Sequence, residues 1–216
     1  MESKMKTILA ILCLAFLVSA CQALTGGPKF PLSDDFSFAQ WGTGTDANKS
    51  VEYASGALQM IVFTKNYFVW SPRDDQDYQS VHMEVTVINN DTDSTTAFGL
   101  ICNQQRAEDN SFYYFAMTPA GEYVIAKSEA GQTDVFLTNN DEWAASDLIS
   151  QNASSYRVGA DCGSNGTLTL YVDGQEIASV SDVSYTSGGI AVFSWSGEEA
   201  TTTNVSFDDF LMTELP

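Results

Sequence analysis

The feature that most constrains this chain is a two-residue alternation of apolar and polar side chains. Between residues 81 and 87, apolar side chains occupy every second position, and residues 167–172 repeat the pattern. Such alternation is typical of a β-strand with one buried face. Further strand-like segments are 51–53, 57–63, 67–71, 96–103, 111–118, 123–128, 135–138, 155–162, 176–180, 189–195 and 204–213. The chain is therefore predicted to be all-β.

The turn residues support this prediction. Asp173-Gly174 stands between two alternating runs, and a type I′ hairpin turn needs a positive φ at both central residues, which this pair adopts readily. No long stretch carries a helical apolar stripe, so we expect helix over a single turn at most, near residues 143–149. About a dozen short strands in one domain predict two packed antiparallel sheets, that is, a sandwich.

The first 21 residues resemble a bacterial lipoprotein signal. Lys4 and Lys6 precede an apolar run at residues 8–18, and small residues then lead to Cys21. In proteins with this pattern the peptide is cut before the cysteine, which carries a lipid. The predicted division is a signal peptide at 1–20, a tether at 21–31 and one sandwich domain at 32–216. An ordinary secretory signal and a transmembrane anchor remain alternatives, and all three readings export the chain.

The charge balance excludes some partners. The chain has 28 acidic residues, 9 basic residues and a net charge of −19. Phosphate backbones and anionic lipid surfaces are bound by Lys and Arg, which displace counterions. We therefore expect no nucleic-acid partner, and a membrane contact only through the lipid on Cys21.

Two cysteines remain once Cys13 and Cys21 are set aside. Cys102 and Cys162 both lie in strand-like runs, and thiols in exported chains usually oxidise. We predict that they form a disulfide between neighbouring strands. The alternative is a pair of buried free thiols.

The strand and turn motifs together resemble the concanavalin A-like lectin/glucanase superfamily, and more narrowly its laminin G-like and keto-disaccharide-hydrolase-like branches. The matching segments are Asp34-Asp35-Phe36, Trp41, 97–102, 112–115, 121–123, 168–174, 188–190 and 207–210. The resemblance implies a two-sheet antiparallel jelly roll with its terminal strands close together. It also implies a concave face, where relatives bind or cut polysaccharides.

The resemblance does not bring catalytic residues with it. Retaining glucanases of this superfamily use two carboxylates about 5–5.5 Å apart, supplied by Glu residues of one strand with an Asp in a Glu-x-Asp motif. No Glu of this chain has an Asp two positions later. The single histidine, His82, lies within an alternating run, where a solvent-facing or hydrogen-bonded position is expected. We therefore assign no catalytic residue.

A structural calcium ion is the one cofactor that the resemblance suggests. In several members of the superfamily, calcium ties the N-terminal segment to the C-terminal strand. Here Asp34 and Asp35 lie near one end of the domain, and Asp208 and Asp209 near the other. Carboxylate oxygens are suitable calcium ligands. The alternative is that these side chains end strands and face water.

Aromatic residues are the strongest functional signal. Tyr67, Trp70, Tyr113, Tyr114, Tyr123, Phe136, Trp143 and Trp195 are more than a small core needs, and sugar rings stack on exposed aromatic faces. We name Trp70 and Tyr123 as ligand-binding candidates, with Asn103 and Arg106 as polar partners. The alternative for both rings is burial in the core. A shift of one residue in register exchanges the two faces of a strand, so the pattern alone does not say which rings face outward.

The preferred hypothesis is a surface-anchored, non-catalytic recognition module for carbohydrate. One alternative is a glycan-acting hydrolase whose carboxylates come from different strands. Another is a structural lipoprotein that binds a protein through the same sheet.

Overall fold

The computed structural model describes residues 27–73, 76–91, 93–106, 110–198 and 202–216. The predicted signal peptide and Cys21 lie outside these residues. The strands are β1 (Leu32–Asp34), β2 (Gly44–Thr45), β3 (Lys49–Ala54), β4 (Ala57–Val62), β5 (Phe68–Pro72), β6 (Val81–Asn89), β7 (Ala97–Gln104), β8 (Phe112–Met117), β9 (Glu122–Ser128), β10 (Val135–Phe136), β11 (Ala144–Ala145), β12 (Ser155–Cys162), β13 (Thr167–Val172), β14 (Gln175–Ser181), β15 (Gly189–Trp195) and β16 (Thr203–Glu214).

The strands form two antiparallel sheets. The nine-stranded sheet has the order β14-β13-β12-β6-β16-β4-β3-β2, with β1 added beside β16. The seven-stranded sheet has the order β10-β9-β8-β7-β15-β5, with β11 beside β9. In the pairing of β1 with β16, Asp34 lies opposite Phe210. The expected all-β sandwich is confirmed, and the terminal strands are adjacent, as the resemblance implied.

The alternating segments take the structure that their pattern predicts. Over residues 81–87 of β6 the apolar residues are buried, and the polar residues between them are partly exposed. Asp173 and Gly174 join β13 to β14 with φ values of 51° and 76°. The hairpin predicted at this pair is therefore confirmed, with both central residues in the left-handed region.

Residues 143–149, where a single turn of helix at most was expected, contain no helix, and none occurs anywhere in the described ranges. The two-residue strand β11 begins this segment by pairing with β9. A single turn follows, in which the Ile149 N–H donates to the Ser146 carbonyl. Pairing with a sheet edge satisfies backbone groups that an isolated helical turn leaves open.

The main core fills the space between the sheets, and the disulfide crosses it. Cys102 of β7 and Cys162 of β12 are bonded, with Cα atoms 6.6 Å apart. The predicted bridge is confirmed, but its placement on neighbouring strands is wrong because the two strands belong to different sheets. Each cysteine occupies an inward-facing position, so the bond links the sheets through the core.

Candidate functional site

The seven-stranded sheet has apolar side chains on both faces. Every residue of β7 and of β8 is buried. One face contributes to the core between the sheets, and the other carries a second apolar cluster of its own. A sheet with only one packed face shows alternation instead. The outward face of this sheet therefore needs an explanation beyond folding.

A groove of about 700 Å³ runs over this outward face. Its floor consists of Phe68, Phe112, Tyr114 and Phe193. The Phe68 and Phe193 rings stack with centroids 4.7 Å apart, and Tyr114 meets Phe193 edge to face at 5.7 Å. Offset-stacked and edge-to-face contacts are the preferred arrangements of aromatic pairs. The floor is thus a packed aromatic layer.

The walls of the groove are four half-buried rings, Trp70, Phe136, Trp143 and Trp195. Trp143 and Trp195 are nearly parallel, at an interplanar angle of 16° and a centroid distance of 6.4 Å. The Trp195 indole N–H donates to Asn66 Oδ1 over 3.1 Å, which holds the ring in place. Rings held in this way offer flat apolar faces to a ligand at a small entropic cost.

The polar groups of the groove are mainly acids and amides. Asp134 lies beside the floor, where its Oδ2 accepts a hydrogen bond of 3.0 Å from the Tyr114 hydroxyl. Burial raises the pKa of Tyr114, and the nearby charge of Asp134 raises it further. Tyr114 therefore stays protonated and acts as a donor. Glu129 and Glu198 are exposed at the rim.

A glycine allows the floor to pack closely. A Cβ atom on Gly99 would lie 1.9 Å from the Phe115 carbonyl oxygen and 3.3 Å from the Phe193 ring. Gly99 lies opposite Phe193 in the pairing of β7 with β15. The missing side chain lets the strands and the Phe193 ring come together at this point.

The structure separates the two aromatic residues predicted to bind ligand. Trp70 is in the groove, with its ring 5.9 Å from that of Phe112. Tyr123 packs against the core between the sheets, whereas the next residue, Val124, belongs to the outward cluster. Tyr123 therefore lies on the wrong face for the groove, by one position of register.

The predicted polar partners are not brought to the groove either. Asn103 is buried, with a φ of 53°, and its side-chain amide donates to the Tyr185 carbonyl over 2.9 Å. The Asn103 side chain therefore supports a loop. Arg106 is exposed, and its Nε donates to Asp77 over 2.7 Å. Neither residue lines the groove.

The two acidic pairs predicted to bind calcium do lie near one another. Asp34, Asp35 and Asp209 line a second, smaller cavity. However, Asp34 accepts a bond from the Phe36 N–H with one oxygen and from the Trp41 indole N–H with the other. Asp208 accepts from the Asp209 N–H. Across the described ranges, no three His, Cys, Asp or Glu side chains are grouped to hold a metal ion. Calcium binding stays a prediction.

Several groove residues were missed at the level of sequence, namely Phe68, Phe112, Phe193, Glu129, Asp134 and Glu198. A signal for the aromatic ones was present. Residues 112–117 form a continuous apolar run, and such a run in an antiparallel sheet indicates that both faces are covered. The acids come from loops and carried no comparable signal.

The fold is that of known jelly-roll proteins. A carbohydrate-binding module, CBM66 from Bacillus subtilis, matches with a TM-score of 0.63 at 12% identity, over 81% of this chain and 96% of that one. A Bacillus subtilis protein of unknown function with a galectin-like fold matches at 0.61 and 10%, over 85% and 94%. A Bacillus licheniformis β-glucanase matches at 0.59 and 14%, over 89% and 100%.

At these identities the likeness concerns the fold. No protein-family model matches the chain, and no curated protein matches it by sequence. Within the ranges that the structure describes, no helix has the length and apolar character needed to cross a membrane.

Proposed function

We propose that this chain is a non-catalytic carbohydrate-binding module held at the cell surface. The observation that carries the proposal is the aromatic groove on the outward face of the seven-stranded sheet. Half-exposed indole rings suit the apolar faces of sugar rings, and the amides and acids around them suit sugar hydroxyls. The jelly-roll neighbours, which include a carbohydrate-binding module, support the same class of ligand.

The non-catalytic part of the proposal rests on the carboxylates. The Glu-x-Asp motif of the glucanases is absent from the sequence. Asp134, the most buried groove acid, accepts a hydrogen bond from Tyr114. We therefore assign the groove acids to binding.

Hydrolysis is the second candidate, because three acids line one groove. Glu129 and Asp134 come from the loop between β9 and β10, and Glu198 comes from the segment between β15 and β16. Incubation of the protein with mixed polysaccharides tests it by release of reducing sugar. Release that disappears in a Glu198→Gln or Asp134→Asn variant would establish the enzyme instead.

The surface-anchored part of the proposal rests on the signal that ends at Cys21. The disulfide is consistent with an exported chain, since such bonds persist in oxidising compartments. Each buried CH₂ of an acyl chain contributes roughly 0.8 kcal/mol to membrane binding. A Cys21→Ser variant should therefore move from the membrane to the soluble exported fraction. Unchanged membrane association in that variant would contradict lipid anchoring.

The binding experiment compares rings on the two outer faces of the molecule. Trp70→Ala and Trp195→Ala remove groove walls, whereas Tyr171→Ala removes a half-exposed ring from the outer face of the nine-stranded sheet. A hot-spot aromatic contributes about 2 kcal/mol, or roughly 30-fold in affinity. We expect the first two variants to lose polysaccharide retention and the third to keep it.

Thermal unfolding of each variant shows whether lost retention reflects lost binding or lost fold. A glycan array then identifies bound sugars for the wild-type protein. Retained fold with unchanged retention in both Trp variants would remove the groove from the proposal. Absence of any array signal, with capture of a protein partner through the same groove, would favour the protein-binding alternative.

A further inference from the structure

The charged side chains that line the groove all have one sign. They are Glu129, Asp134 and Glu198, and among the described residues no Lys or Arg lines the groove. Residues 107–109 and 199–201, whose placement is not described, contain no Lys or Arg in sequence. Lys65 precedes the groove residue Asn66 in the chain but is not a lining residue. Among the described residues, a ligand in the groove therefore meets carboxylates and no lining cation.

Two other basic side chains near groove residues in the sequence, Lys127 and Arg106, have partners elsewhere. Lys127 Nζ donates to Ser184 Oγ over 3.1 Å and lies 3.8 Å from Asp182, which also accepts from the inward-facing Tyr113. Arg106 pairs with Asp77. These cations are therefore not available to neutralise the groove acids.

The aromatic walls act in the same direction as the acids. The face of an aromatic ring carries partial negative charge and attracts a cation within about 6 Å of its centre, most strongly for tryptophan. Trp70, Trp143 and Trp195 supply three such faces. A protonated amine in the groove would be attracted by the rings and by the carboxylates, whereas a uronate or sulfate would be repelled by both.

We infer that the groove selects glycans that carry protonated amines, that is, amino-sugar polymers with free amino groups. This inference rests on the proposed carbohydrate-binding function and names the ligand class of the same site. The sugar ring stacks on the indoles, and its ammonium group faces the carboxylates at the rim. An N-acetylated sugar keeps the stacking and loses the charge, so it binds more weakly.

The test uses calorimetric titration with three oligomers of equal length. They are a glucosamine oligomer, its N-acetylated counterpart and a galacturonate oligomer. We expect the free-amine oligomer to bind at least about fivefold more tightly than the acetylated one. The galacturonate oligomer should not bind. The preference should disappear at a pH high enough to deprotonate the sugar amine, because only the ammonium form is attracted.

Two triple variants separate the groove from the general acidity of the surface. The first variant removes the negative charges of the groove and combines Glu129→Gln, Asp134→Asn and Glu198→Gln. Glu52→Gln with Glu176→Gln and Glu214→Gln makes the same change in net charge at exposed positions of the nine-stranded sheet. The first variant should bind both glucosamine oligomers equally, and the second should keep the preference.

The possible outcomes distinguish selectivity for amino sugars from carbohydrate binding in general. If the wild-type protein binds the amine and acetylated oligomers equally, and Trp70→Ala loses both, the charge selectivity is overturned. Carbohydrate binding by the groove then stays in place. Equal loss of preference in both triple variants also overturns it, because bulk acidity then explains the effect. Failure of every oligomer, and of a broad glycan array, overturns the proposed function itself.

Discussion

The outer faces of the two sheets differ in chemistry although both sheets are antiparallel. On the nine-stranded sheet the outer face is a polar ladder. His82 Nδ1 lies 2.6 Å from Asp161, the Tyr171 hydroxyl donates to Asp161 over 2.9 Å, and Arg157 Nε donates to Glu84 over 3.2 Å. On the seven-stranded sheet the outer face is the aromatic groove.

Folding alone accounts for the outer face of the nine-stranded sheet but not for that of the seven-stranded sheet. A polar ladder whose members hydrogen-bond one another is what a solvated outer face requires. An aromatic face with half-exposed indoles leaves apolar area in water, and contiguous patches of this kind mark binding sites. The difference between the faces, more than the fold that they share, points to a ligand.

The largest effect should come from the bond that joins the two sheets. Replacing both Cys102 and Cys162 by Ala removes a covalent bond between residues 60 positions apart. The free energy of unfolding should fall by about 2–5 kcal/mol in urea titrations. Reduced wild-type protein is the matched control and should unfold at the same urea concentration as the variant. An unchanged midpoint would show that the sheets hold together without the bond.

The floor of the groove should be intolerant of a single methyl group. In Gly99→Ala the new Cβ meets the Phe115 carbonyl, so β7 and β8 must separate. Overpacking of this kind costs about 1–3 kcal/mol of stability. Gly44→Ala is the control, because nothing lies within 4 Å of the position that its Cβ would occupy. Equal thermal unfolding of the two variants would contradict the close packing described for the floor.

A smaller effect is expected from the hydrogen bond beneath the groove. Tyr114→Phe removes the hydroxyl that donates to Asp134 and should lower the free energy of unfolding by about 1 kcal/mol. Tyr171→Phe removes the corresponding donor to Asp161 on the other face. The affinity for glycan should change in Tyr114→Phe and stay the same in Tyr171→Phe. The opposite result would assign ligand contact to the polar face.

The smallest effect is a pH dependence of folding stability that arises on the polar outer face of the nine-stranded sheet. The hydrogen bond and charge of Asp161, with a further contribution from Glu84, raise the pKa of His82 above its ordinary value of 6.5, although burial opposes them. The protonated form is therefore favoured in the folded state. Its contribution to stability is fully present below the ordinary pKa and is lost as pH rises through the raised value.

Thermal unfolding between about pH 5 and pH 9 tests this effect in wild type and His82→Gln. Arg157 on Glu84 and the Tyr171 ring, 5.6 Å from the imidazole, complete the surroundings of His82. The variant should show a flatter profile over this range. Binding of a neutral glycan should be the same in both proteins, since the groove lies on the other sheet. Identical pH profiles would show that His82 does not couple to folding.

Much of the fold could be predicted because its determinants are local. The alternation in β6 and the Asp173-Gly174 turn each act over a few residues, and strand and hairpin geometry respond to such short patterns. The structure of residues 143–149 could not be predicted, for the opposite reason. Residues 143–149 have no strong local pattern, and β9 supplies the pairing that decides their structure.

The site could be predicted only in part. The excess of aromatic residues indicated a candidate binding surface, and Trp70 lines the groove that is proposed as that surface. Tyr123 was an equally reasonable candidate by composition and lies on the inner face. Because side chains alternate with a period of two, one position decides between groove and core. The apolar run at residues 123–126 of β9 has no alternation that marks which face is which.

The sequence by itself therefore determined the strand content, the hairpin turn, the acidity and the presence of two cysteines able to pair, since each depends on neighbouring residues or on composition. The tertiary structure decided that the disulfide crosses between sheets and that rings from β5, β8, β10 and β15 meet over one floor. It also placed Asp134 against Tyr114, 20 positions apart. These contacts join residues distant in the chain, and only the packing of whole sheets brings them together.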